Sequence, residues 1–227
     1  MKKIAFFDVD GTVFRSSLLI ELVERLVERE VFPKEVADMY EEEFHAWQNR
    51  EGTYEEYLEA LVTAFRTHIK GVFYGDLADI GREIVAEKSK HVYRYTRDLI
   101  TSLKGEGYYV VAISKSPKTI LDDFCRAYGF DKVYGYIYDI GPQDHFTGVV
   151  TDEHLIQNKA NIVKRLLNTG EYTMKDSVGV GDTEGDISLL EMVETPICFN
   201  PNNALYTYAK RMDWSVVVER KDVVYEL

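Results

Sequence analysis

Asp8 and Asp10 stand two residues apart, directly behind the apolar run Ile4-Ala5-Phe6-Phe7 and just ahead of Gly11 and Thr12. An uninterrupted run of this kind predicts a strand buried on both faces, as at the centre of a parallel sheet. Gly11 then allows a sharp turn. Ligands of open α/β sheets bind just beyond the carboxyl ends of the strands, so the pair sits where chemistry is expected. Two carboxylates this close do not both stay ionised cheaply unless a cation lies between them or one holds a proton. Alone, the stretch also fits an ordinary Asp-Gly turn closing a strand. Its meaning depends on partners elsewhere in the chain.

Such partners follow at two other strand ends and at the start of a helix. The apolar run Tyr108-Tyr109-Val110-Val111-Ala112-Ile113 ends at Ser114, with Lys115-Ser116-Pro117 behind it. The run Ser177-Val178-Gly179-Val180-Gly181 ends at Asp182, and Asp186 comes four residues later. Asn158-Lys159 opens a helical pattern between the last two. Parallel strands joined by right-handed crossovers deliver all these ends to one edge of the sheet. Hard oxygen donors from Asp8, the Asp10 backbone and Asp182 suit Mg²⁺. An ammonium, a hydroxyl and nearby helix N-termini suit a phosphate. A metal between carboxylate and phosphate also removes the repulsion that would keep an anion out of an acidic cleft.

The elements that must hold these residues fall into two groups. Residues 1–14 and 89–227 alternate strand and helix patterns, which predicts a three-layer, Rossmann-like α/β core around a central parallel sheet. Its smaller features are an antiparallel excursion around Gly141-Pro142 and closing strands near residues 197–199 and 214–218. Residues 15–88 carry only helical patterns and predict an all-α cap domain inserted after the first strand. Ser16 or Ser17 caps its first helix, Pro33 starts a second with the stripe Val36, Met39, Tyr40, Phe44 and Trp47, and Thr53 with Glu56 forms a capping box for a third. A fourth lies near residues 75–90.

Composition limits what such a protein handles. The 227 residues allow one domain, or one carrying an insertion. With 27 Lys+Arg against 39 Asp+Glu the net charge is −12, which disfavours nucleic acid and anionic membranes as partners. Cys125 and Cys198 lie far apart and outside any CxxC pair, as expected of buried thiols in a reducing compartment. No apolar leader or membrane-length run is visible, so a cytoplasmic monomer or homodimer acting on a small soluble molecule is expected.

With its motifs in this order, the chain resembles the haloacid dehalogenase superfamily, phosphatase branch, and within it the subgroup around phosphoserine phosphatase. The resemblance spans nearly the whole sequence. It implies that Asp8 is a nucleophile forming an aspartyl-phosphate and that Asp10 is the general acid, later the base. It also implies that Ser114 and Lys159 hold the phosphoryl group while Asp182, and more distantly Asp186, hold Mg²⁺ with Asp8 and Asp10. Thr12 bonds either the phosphoryl pocket or its own turn. The same resemblance places a Glu nine residues after the nucleophile and an Arg in a cap helix to read serine, whereas this chain has Ser17 and Leu61 there. Lys115 and Gly185 also depart from the pattern. A phosphomonoester other than phosphoserine is therefore expected, its leaving group read from candidates Arg15, His45, Trp47, Tyr54, Arg66 and His68. A phosphomutase is the alternative on the same scaffold. A phospho-signalling receiver domain is disfavoured, because it lacks the helical insertion and carries its phosphorylated Asp later in the chain.

Overall fold

Strand β1 (Lys2–Asp8) occupies the middle of an eight-stranded sheet, as its fully buried Phe6 and Phe7 require. A computed structural model describes residues 1–227. After β1 come four helices, α1 (Leu18–Glu28), α2 (Glu41–Gln48), α3 (Tyr54–Ile69) and α4 (Tyr74–Lys88). The chain then alternates through α5 (Arg94–Gly105), β2 (Tyr109–Pro117), α6 (Lys118–Ala127), β3 (Lys132–Ile140) and β4 (Phe146–Thr151). It continues with α7 (Glu153–Gln157), α8 (Ala160–Leu167), β5 (Tyr172–Gly181) and α9 (Ile187–Leu190). Strand β6 (Thr195–Phe199), α10 (Asn203–Met212), β7 (Ser215–Arg220) and β8 (Val223–Glu226) complete it. The strand order is β4-β3-β2-β1-β5-β6-β7-β8, parallel except for the antiparallel β3/β4 and β7/β8 pairs at the two edges. No helix is long and apolar enough to cross a membrane.

Helices α1, α3 and α4 share one continuous apolar core with the sheet, and α2 packs half-buried Phe44 and Trp47 against it. Phe14 meets Phe124 edge-on at 5.5 Å, and Phe65 of α3 meets Tyr138 of β3 at 5.1 Å. The chain leaves and re-enters the sheet layer through two adjacent segments that bond to each other: Arg15 N–H donates to His91 O at 2.9 Å and Tyr93 N–H to Val13 O at 3.0 Å. The Arg15 side chain fastens the junction, donating from Nε to Val92 O at 2.9 Å and from Nη2 to Glu219 of β7 at 2.6 Å. Glu219 also accepts the Arg94 and Tyr95 amides at 3.2 and 2.8 Å, capping α5 from across the fold.

Several local expectations need correction. The single helix expected after Pro33 is a 3₁₀ turn (Lys34–Met39) followed by α2, because the backbone at Tyr40 leaves the helical region with φ −137°. The break lets Glu41, Glu42 and Glu43 occupy a new first turn, where the helix dipole favours them. Strand β2 does not stop at Ser114. It runs on to Pro117, which pairs with Tyr136 after an irregularity in register. The short α7 before Asn158 and the final strand β8 have no counterpart in the sequence reading. Ser17 does cap α1, accepting Leu19 N–H at 3.2 Å, and Thr53 and Glu56 form the capping box of α3.

Candidate active site

Strands β1, β2 and β5 lie side by side and end at the same edge, so Asp8, Asp10, Ser114 and Asp182 converge there. Lys159, just ahead of α8, reaches into the group. Its Nζ donates to Asp8 Oδ1 and to Asp186 Oδ1, each at 2.5 Å. All three side chains are almost fully enclosed. The other Asp186 oxygen accepts the Asp182 and Thr183 amides at 3.1 and 3.2 Å, so Asp186 fixes both Lys159 and the loop after β5. Carboxylate oxygens of Asp8, Asp182 and Asp186 lie within 4.8 Å of one another.

The Asp10 carboxylate stands apart from this cluster, in the wall of the cavity that Asp8 and Asp182 also line. Oδ1 accepts Leu18 N–H at 2.6 Å, and Oδ2 accepts the Ser116 hydroxyl at 2.8 Å together with the Ser114 hydroxyl. Ser114 is held in turn by Ser116 N–H at 2.7 Å. Thr12 is fully buried and donates to Asp182 Oδ1 at 3.2 Å. Ser114 and Thr12 thus orient carboxylates from behind and do not line the cavity. Gly11, at φ +83°, brings the backbone so close to Asp182 that a Cβ there would overlap its carboxylate.

Burial dominates the electrostatics. It pushes the Asp8 carboxyl up to about 8, although Lys159 pulls the other way. It also raises Asp182 well above the carboxylate range, with Asp8 and Asp186 adding to the effect. Asp10 is raised too, against the bonds from Ser114, Leu18 and Ser116. Burial opposes the charge on Lys159, but Asp186 and Asp8 together outweigh it and hold the ammonium above its ordinary range. One atom is left over: Asp8 Oδ2 is buried with no partner. Separately, the three clustered carboxylates of Asp8, Asp182 and Asp186 are a donor set that fits a hard divalent cation.

A cavity of about 190 Å³ lies over this group, with Asp8, Asp10, Lys159 and Asp182 in its walls. Its other side is the first turns of α3, with Tyr54, Glu55, Leu58 and Glu59, and Lys115 and Gln157 flank it. Lys115 pairs with Glu55, tying β2 to α3. Of the leaving-group candidates, Tyr54 lines this cavity and Arg66 an adjoining one. Arg15 is spent on Glu219 and Val92, Trp47 stacks on Tyr57 at 5.7 Å, His68 bonds Ala64 O, and His45 faces Glu41. Ser116, Glu55 and Glu59 went unassigned in the sequence reading. The signal for the two glutamates was the i, i+4 recurrence of 54/58 and 55/59 on a second face of α3. A larger depression of about 550 Å³, at the N-terminal ends of β6 and β7, contains none of these residues.

A family model described as haloacid dehalogenase-like hydrolase matches residues 5–191. The chain is 23% identical over 223 residues to the histidinol-phosphatase of Neisseria meningitidis serogroup C (strain 8013), covering 96% of this chain and 99% of that one. Among solved structures, a protein of unknown function from Bordetella pertussis Tohama I aligns with TM-score 0.72 at 19% identity, over 95% and 98% of the two chains. A phospho-aspartyl intermediate analogue of phosphoserine phosphatase aligns with TM-score 0.63 at 20% identity, over 97% and 95%. These structural likenesses concern the fold.

Proposed function

Because this chain belongs to the haloacid dehalogenase-like hydrolase family, we propose that it is a Mg²⁺-dependent phosphatase hydrolysing a small soluble phosphomonoester through an aspartyl-phosphate on Asp8. The observation that carries this reading is the Asp8 carboxylate itself. One oxygen is pinned by Lys159 at 2.5 Å, and the other is buried, unpartnered and part of a residue facing the cavity. A nucleophile needs such a free, oriented lone pair.

Asp8 Oδ2 attacks phosphorus, and the bond from phosphorus to the ester oxygen breaks. Asp10, raised by burial, gives its proton to the departing oxygen. Asp10 then takes a proton from water, which attacks phosphorus and releases Asp8. Lys159 offsets negative charge at the attacking carboxylate throughout. Mg²⁺ held by Asp8, Asp182 and the Asp10 backbone, with Asp186 behind them, would supply positive charge against the phosphoryl oxygens. Thr12 and Ser114 act here by fixing Asp182 and Asp10. Residues 15–88 serve as the lid that excludes water and reads the leaving group, with α3 as its contact surface.

The relatives' names support phosphomonoesterase activity. The substrate we assign is not phosphoserine, because Ser17 is spent capping α1 and Leu61 is fully buried in the core. A cytoplasmic setting belongs to the same reading. The test is phosphate release from p-nitrophenyl phosphate and from a panel of phosphorylated metabolites, with Mg²⁺ or with EDTA. Release that depends on Mg²⁺ supports the proposal, and activity undiminished by EDTA overturns it. Isomerised ester without free phosphate would point instead to a phosphomutase.

A further inference from the structure

Away from the catalytic group, cations gather at one place on this acidic protein. A cavity of about 170 Å³ is lined by Lys118 of α6, Lys132 of β3 and Arg165 of α8, with Asp152 as its one carboxylate. The whole chain carries 39 acidic against 27 basic side chains, so three cations to one acid reverses the balance. Gathering like charges costs repulsion, and a bound anion would offset it. The wall between the cations is apolar, built from Leu155, Ile156 and an Ile137 that is otherwise exposed.

Sheet topology opens this space. Strand β3 pairs with β2 from Lys132 onward, whereas its pairing with β4 begins only at Ile137. The outer edge of residues 132–136 therefore has no strand beside it, and α6, α7 and α8 supply the remaining walls. The three cations are only loosely committed. Lys132 makes no ion pair and lies over the Tyr134 ring at 5.7 Å. Arg165 reaches Asp152 at 3.4 Å, with both side chains more than half exposed. Lys118 pairs with Asp122 one turn along its own helix, a surface contact of small worth. Burial raises the Tyr134 phenol and Arg165 draws it partly back, so Arg165 and Lys132 attend the same ring. The cavity is separate from the catalytic one, because α7 stands between them and Ile156 alone lines both.

We propose that this cavity is a second, non-catalytic ligand site, taking a small organic phosphate whose phosphate group meets Lys118, Lys132 and Arg165 and whose short apolar body lies on Tyr134, Ile137 and Leu155. The planar Arg165 fork suits two phosphate oxygens, and the two ammonium groups act as point charges on the third. A volume of about 170 Å³ is below the roughly 300–1,000 Å³ of drug-sized sites, which limits the body to one ring or a short chain. The inference stands independently of the phosphatase reading.

The test titrates the full chain, in buffer with Mg²⁺, with phenylphosphonate and separately with inorganic phosphate. Phenylphosphonate has a P–C bond in place of the ester, so it is not consumed. The readout is amide chemical shift by two-dimensional NMR, which resolves the two cavities. Tyr134, Gly135 and Leu155 report the proposed site, and Gly11 and Gly185 report the catalytic one. The Tyr134 set should saturate with its own Kd, at about 10 mM or below, and more tightly for phenylphosphonate than for inorganic phosphate. The double variant Lys132→Gln with Arg165→Gln should weaken binding at the Tyr134 set about tenfold or more, as loss of charge-assisted hydrogen bonds implies, while the Gly11 set keeps its affinity. Absence of saturable shifts at Tyr134 and Gly135 would overturn the proposal. So would shifts there that follow the Gly11 set and persist in the double variant, since they would be transmitted from the catalytic cavity. Binding of phenylphosphonate no tighter than that of inorganic phosphate would overturn the assigned ligand class.

Discussion

Replacing Lys159 by Met removes the cation that touches both Asp8 and Asp186 in an almost fully enclosed site. Breaking a buried ion pair from one side costs about 3–5 kcal/mol, because the remaining charge loses its compensation. Unfolding entropy of about 2.1 cal/mol/K per residue, taken over 227 residues, is close to ~0.5 kcal/mol/K, so Tm should fall by about 6–10 °C. The loss should depend on pH in a defined direction. Lys159 is held above its ordinary range, so its stabilising contribution is fully present below about pH 10. Asp8 escapes the penalty by taking up a proton, which burial favours and which the variant, lacking the Lys159 that lowers its value to about 8, keeps to higher pH. The destabilisation should therefore be larger near pH 9 than near pH 5. Differential scanning calorimetry in metal-free buffer at both pH values measures it, and Mg²⁺ should restore part of the loss by placing charge among the same carboxylates. A variant whose Tm near pH 9 stays within about 2 °C of wild type would refute the view that Lys159 is what lets these acids be buried.

Three further outcomes follow from the same geometry. Asp8 and Asp182 have folded-state values above the ordinary carboxylate range, so the folded protein keeps protons that the unfolded chain has lost. Their contribution to stability should fall as pH rises from about 4 towards about 8. In urea titrations with EDTA this lowers the midpoint, and Mg²⁺ at about 100 times its Kd at pH 8 should return about 2.7 kcal/mol there and less at pH 5 at the same concentration. Gly11→Ala, strained at φ +83° and forced against the Asp182 carboxylate, should weaken Mg²⁺ binding at least tenfold by isothermal titration calorimetry while the far-ultraviolet circular dichroism stays native. Glu219→Ala takes their acceptor from the part-buried Arg94 and Tyr95 amides, and each lost hydrogen bond costs about 0.5–1.5 kcal/mol. Its Tm should drop by several degrees, whereas Glu219→Gln, which keeps an acceptor, should lose less.

The catalytic edge was legible because strand burial and strand ends are local properties. Ile4 to Phe7 could only be a central strand, and a parallel sheet leaves Asp8, Asp10 and Asp182 one place to go. What the sequence withheld depends on rotamers and distant partners. Nothing local distinguishes a Ser114 hydroxyl facing a phosphate from one turned back onto Asp10, or a Thr12 hydroxyl facing the cavity from one bonded to Asp182, 170 residues away. Glu219 lies 204 residues from Arg15, and no periodicity links them. The second face of α3 was readable in its spacing, but the apolar stripe around Tyr57 and Leu61 masked it. Splitting of the helix expected after Pro33 turned on one backbone angle at Tyr40, where the apolar stripe continued and the helix did not.

The central claim is that Asp8 takes the phosphoryl group. Wild-type enzyme mixed with a hydrolysable ester and Mg²⁺, quenched in acid during turnover and reduced with borohydride, should yield homoserine at position 8 on peptide sequencing by mass spectrometry. Asp8→Asn should give neither homoserine nor phosphate release while remaining folded. Phosphate release by Asp8→Asn at the wild-type rate, or trapping of the phosphoryl group at any residue other than Asp8, would contradict the account.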